Sequence, residues 1–102
     1  MGKRTEAEHS ELIDRLEERV KSKYTLVFRE AEVRDVYTGK IVGEADLVGI
    51  VDGNFDVYEV KVNDRPVKAR RQLLKIQSRL QNFGNVRLYY YTGTDNKIKE
   101  VK

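Results

Sequence analysis

A mixed α/β (α+β) fold is predicted from the sequence: a small mixed sheet flanked by helices, in the order α-β-β-β-α-β. Three observations carry this. Apolar residues recur at helical spacing in two separate segments. Runs rich in β-branched and aromatic residues lie between and after them. The turn signals "YTGK" and "DGN" join three of those runs into a meander. A helix that follows a meander returns the chain so that the last strand lies parallel to a neighbour, by the right-handed crossover rule.

The first helix is expected from Thr5 to about Lys21, with Leu12, Ile13, Leu16 and Val20 on one face. Thr5 and Glu8 have capping-box spacing, and lysines close the last turn. Tyr24 to about Val36 is the first strand, and Lys40 to Val51 the second. The glycine of "DGN" tolerates positive φ, so a hairpin connects the second strand to a third, Phe55 to Val62. Asn63 or Asp64 is positioned to cap a second helix, with Pro66 in its first turn. That helix is expected to reach about Asn82 and to end at Gly84. "NVRLYYYT" is the fourth strand, and the charged tail from Gly93 supplies a last edge strand.

The 102 residues are expected to form a single domain with one modest core. Hydrophobic residues make up 39% and charged residues 36%, too apolar for a disordered chain. There is no cysteine, which excludes disulfides, thiolate zinc sites and cysteine nucleophiles. No apolar run approaches the roughly 20 residues that span a bilayer, so no membrane association and a cytoplasmic location are expected. Abundant Lys, Arg and Glu resemble thermophile usage. The net charge of +3 is unevenly placed. Between Arg65 and Thr94 there are seven basic residues and no acidic one, which suggests a face for phosphates. On the second helix Lys68, Arg71, Lys75 and Arg79 form a row whose mutual repulsion a nucleic-acid backbone relieves. A solvated helix face is the competing explanation.

The apolar hairpin "GEADLVGIVDGNFDVYEVKVN" contains three charges that its surroundings do not explain: Asp46, Glu59 and Lys61. Side chains alternate along a strand, so Glu59 and Lys61 share a face with Phe55 and Val57. Asp46 shares its own strand face with Glu44, Val48 and Ile50. An Asp52-Gly53 loop sets Asp46 opposite Glu59, and a Gly53-Asn54 loop sets it opposite Lys61. A three-residue loop without a bulge separates the two sets, because a one-residue slip exchanges the faces. Two carboxylates held together repel, and a hard divalent cation resolves that repulsion while taking further oxygens from a phosphate. A neighbouring lysine suits phosphodiester cleavage, where it positions water or stabilises charge on phosphate. The alternative is an ordinary cross-strand ion pair on an exposed sheet surface.

Asp46, then Glu59-Val60-Lys61 closing the hairpin of an α-β-β-β-α-β chain, resembles the PD-(D/E)xK nuclease superfamily. "GEADLVGI…VYEVKVN" is most similar to its Holliday-junction-resolvase-like and restriction-endonuclease-like branches. The match in element order covers nearly the whole chain, whereas the matching sequence is confined to the hairpin. The resemblance implies a restriction-endonuclease-like core and a Mg²⁺- or Mn²⁺-dependent endodeoxyribonuclease. It implies that Asp46, Glu59 and the Val60 carbonyl hold the metal, with Glu44 as a further candidate. Lys61 is then the catalytic lysine, assisting a water that leaves 5′-phosphate and 3′-hydroxyl ends. Ala45 stands where the motif's name has proline. Many members carry a first-helix glutamate, but the helix pattern lays His9 there, with Glu8 beside it. Gln72 matches a second-helix glutamine, so Gln72 and His9 are further catalytic candidates. The expected substrate is DNA, with branched or junction DNA the first guess, and a homodimer is expected. The rival function is a non-catalytic nucleic-acid-binding or assembly module that keeps the same fold.

Overall fold

The computed structural model of the chain describes residues 2–102, with side chains from residue 6 onward. Two helices and five strands follow the expected order: α1 Gly2–Val20, β1 Leu26–Arg34, β2 Ile41–Val51, β3 Asn54–Lys61, α2 Pro66–Leu80, β4 Val86–Thr92 and β5 Ile98–Val101. The strands lie side by side in sequence order. β1, β2 and β3 form an antiparallel meander, β4 joins β3 in parallel, and β5 closes the far edge antiparallel to β4. β3 is therefore the central strand of a mixed sheet.

Each face of the sheet is covered by one helix, which makes two cores rather than the one expected. Leu12, Ile13, Leu16 and Val20 of α1 pack on Leu47, Tyr58, Val60 and Tyr91. Leu73 and Ile76 of α2 pack on Val33, Ala45, Val48, Val57 and Leu88. Burial on both sides explains why the central strands are apolar at successive positions instead of strictly alternating. No helix among the described residues is long and apolar enough to cross a membrane.

The helix ends differ from the sequence expectation. α1 begins at Gly2, so Thr5 lies in its first turn and not at its N-cap. The Thr5 side chain lies outside the described residues. Neither Asn63 nor Asp64 caps α2: Arg65 holds the N-cap position without a side-chain bond. Asp64 instead accepts from the Tyr90 hydroxyl, which in turn accepts from the Arg65 backbone N–H. α2 stops at Leu80, before Gly84. Gly84 is required for another reason: a Cβ there would stand 2.2 Å from the Gly53 carbonyl oxygen.

The Asp52-Gly53 turn has positive φ at both residues, 51° and 75°. That is the two-residue hairpin geometry whose twist matches paired strands. It sets Val51 opposite Asn54 and carries the ladder back to Leu47 opposite Tyr58.

Candidate metal and nucleic-acid site

The β2–β3 ladder ends at the Leu47–Tyr58 pair. One step further, the same register brings Asp46 beside Glu59, as the Asp52-Gly53 loop requires. At this point strand alternation slips. Val48 and Ile50 face α2, yet so do Ala45 and Gly43, whose added Cβ would touch Ile76. The partner strand slips at the same level. Val27 packs on the α1 side while Ala31 and Val33 face α2, and Glu30 between them has φ 50°. This paired irregularity re-aims Asp46. Its Oδ2 accepts the Val60 N–H at 2.7 Å, a bond that a regular ladder would have given to β2 backbone.

Glu44 is exposed and stands opposite Glu32 on β1.

Asp46 and Glu59 are 6% and 4% exposed, so the core encloses both carboxylates. Glu59 Oε2 is buried without a hydrogen-bond partner. Burial pushes the Glu59 carboxyl well above the usual carboxylate range, and the adjacent Asp46 carboxyl pushes it further; Lys61 opposes both. Lys61 Nζ lies 4.0 Å from Glu59 Oε1, close enough for attraction but beyond a hydrogen bond. A cross-strand ion pair on an exposed surface does not describe this cluster, because Glu59 is enclosed.

His9 projects from α1 into the same place. Its Nε2 lies 3.0 Å from the Val60 carbonyl oxygen and 3.4 Å from Asp46 Oδ2. Because a carbonyl only accepts, Nε2 carries the hydrogen in this contact. Glu8, the neighbouring residue on α1, is half-buried. Glu6 is exposed and, with His9, lines a cavity of about 330 Å³ whose other walls include Lys61, Arg65 and Lys68. Arg65 opens the acid-free basic stretch seen in the sequence, whereas Glu6 was not singled out; Glu6 lies one helical turn before His9, which was the available signal. Gln72, on α2, has its Oε1 buried without a hydrogen-bond partner. Among the described residues no three His, Cys, Asp or Glu side chains converge tightly enough to form a metal cage by themselves.

The basic row on α2 divides. Lys68, Arg71 and Lys75 are exposed, with no ion pair among the described residues. Arg79 instead pairs with Asp35 in the β1–β2 turn at 3.4 Å. Arg87, from the same acid-free stretch, grips buried Asp56 through two bonds of 2.8 and 3.0 Å. Asp56 also accepts from the Tyr24 hydroxyl, which meets that of Tyr58. Of the three consecutive tyrosines, Tyr91 is fully buried, Tyr90 ties β4 to Asp64, and Tyr89 stacks on Tyr58 at 5.0 Å. They pack the sheet and leave no ring face free for bases on the two buried members. No protein-family model, curated protein or solved structure matches this chain.

Proposed function

We propose that the protein is a metal-dependent nuclease of the PD-(D/E)xK type, acting on DNA. The observation that carries this is the enclosed pair Asp46 and Glu59, with a buried Glu59 oxygen that has no hydrogen-bond partner among the described residues and Lys61 beside it. Leaving such a group unpaired costs about 1–3 kcal/mol or more, a cost that a bound cation would offset. The meander, crossover helix and parallel return strand support a restriction-endonuclease-like core.

The oxygens fit a hard divalent cation such as Mg²⁺ or Mn²⁺. Asp46, Glu59 and the Val60 carbonyl would hold it. When bound, it supplies Lewis-acid stabilisation of phosphate charge and lowers the pKa of water. Lys61 Nζ donates to the attacking water or to the developing phosphate charge. Arg65 and Lys68, across the cavity, hold the phosphodiester, and Arg71 and Lys75 extend that contact along the backbone. With cations on one helix and few groups placed to read bases, recognition rests on backbone and shape, consistent with branched DNA. Cutting both strands of a duplex calls for two sites, which a homodimer provides.

The test is one panel of linear, single-stranded, flapped and four-way DNA with Mg²⁺, Mn²⁺ or EDTA. Wild type is expected to cleave only with metal, and Lys61→Ala to lose on the order of 10²–10³-fold in rate. Tight binding without cleavage under every metal condition overturns the enzyme and favours a binding module. The α2 cations alone support that second reading.

A further inference from the structure

We infer that Tyr90 is a positioning residue for the phosphate contact: its hydroxyl fastens the start of α2, with Arg65 and Lys68, to the sheet beside Glu59. The inference rests on the nuclease reading, in which Arg65 and Lys68 hold the phosphodiester, and adds the residue that sets their place.

Tyr90 on β4 is the partner of Glu59 in the parallel register, and Thr92 is the partner of Lys61. Tyr90 is only 4% exposed. Phenylalanine would serve packing alone, and a hydroxyl enclosed at this depth needs partners. It has two. The Arg65 backbone N–H donates to it at 2.5 Å, and it donates to Asp64 Oδ1 at 2.9 Å. A backbone N–H only donates and a carboxylate only accepts, so the two roles cannot be exchanged. Arg65 is held from the other side as well, because its carbonyl accepts the Ala69 N–H at 3.0 Å and Ala69 is buried. The Arg65 backbone thus links the sheet, through Tyr90, to the first turn of α2. The helix end supplies no such link itself: Arg65 makes no side-chain cap bond, and Pro66 has no N–H. Arg65 and Lys68 are exposed, so packing does not fix their place. Both line the cavity that Lys61 also lines. One buried hydroxyl therefore couples these cations to the sheet beside the carboxylates. A misplacement of about 1 Å in such a contact can cost on the order of 10²-fold in rate.

Tyr90→Phe keeps the ring and removes only the hydroxyl. Asp64→Ala and Asp64→Asn remove the same charge, but only the asparagine keeps an acceptor oxygen, so their difference reads the hydrogen bond. Circular dichroism verifies each fold. Fluorescence anisotropy on a four-way DNA in EDTA gives Kd without cleavage, and Mn²⁺-dependent cleavage of the same DNA gives KM and kcat. Tyr90→Phe is expected to raise Kd and KM about tenfold, with kcat changed by less than about twofold. Asp64→Ala should bind more weakly than Asp64→Asn. If Tyr90 acts through Arg65, adding Tyr90→Phe to Arg65→Ala should cost well below a further factor of about ten. An unchanged Kd in folded Tyr90→Phe, a fall in kcat alone, or a double variant whose loss is the product of the single losses overturns the role of Tyr90 while the nuclease reading stands. Should Tyr90→Phe not fold, equal Kd values for Asp64→Ala and Asp64→Asn overturn it as well. A wild type that binds the DNA but cleaves it with no metal overturns the nuclease reading, and the Kd values still decide Tyr90. A wild type that does not bind overturns both.

Discussion

Among the described carboxyl groups, Glu59 is the one that burial pushes furthest from its ordinary range. Its ordinary value of 4.5 is raised by burial and then by Asp46. Between that ordinary value and the raised one, the folded protein holds a proton that the unfolded chain has released. Stability is therefore fully present below the unfolded value and is lost as pH rises through the folded one. Glu59→Gln removes the titration and keeps the shape. The metal-free variant is expected to exceed wild type by on the order of 1–3 kcal/mol near pH 8 and to match it near pH 4. Urea unfolding at the two pH values measures this, and parallel pH profiles of variant and wild type would remove the basis for it. Asp46 was legible from its place in an apolar strand. The hydrogen bond from Val60 N–H to its carboxylate was not, because it depends on where β2 leaves β3.

At the scale of elements, α2 shows how one helix divides like charges between structure and recognition. Arg79 lies far enough along the helix to meet Asp35, whose carboxyl the Thr38 and Tyr37 backbone amides hold below its usual range. Among the described residues, Arg71 and Lys75 pair with no acid. Arg71→Ala and Lys75→Ala are expected to weaken DNA binding across all sequences and each to reduce the salt slope by about 1, with stability unchanged. Arg79→Ala should leave that slope nearly unaltered. Fluorescence anisotropy between 50 and 200 mM salt, as a rough working range, separates the classes. Equal slopes for all three variants would return Arg79 to the binding row. Helical spacing aligned the four cations; the β1–β2 turn, more than forty positions earlier in the chain, removed one of them.

Over the whole molecule, two helices clamp one sheet, and the cavity opens where α1, β3 and the start of α2 meet. A ligand bound there stabilises the entire fold by mass action. Mn²⁺ at about 100 times its Kd should add roughly 2.7 kcal/mol, a rise of roughly 10 °C or more for a chain of this size. Glu59→Gln should show a smaller rise. Thermal melting with Mn²⁺ and with EDTA reads this out, and coincident melts exclude a metal site of that affinity.

Helix and strand order, a tight hairpin turn at "DGN" and the suspect charges were present in the sequence by itself, while the choice of a two-residue loop was left to the fold. Each depends on neighbours: a 3.6-residue repeat, β-branched runs, or a glycine that accepts positive φ. Helix ends were less legible, since Asp64 had a distant competitor in Tyr90 for the role of cap. Only the tertiary structure decided that Asp46 lies beside Glu59, and that His9 and Glu6 reach the same cavity. The reason is that these placements depend on strand offset and on a coordinated slip at Glu30 and Asp46. Those residues are far apart in the chain and adjacent only after the sheet has formed.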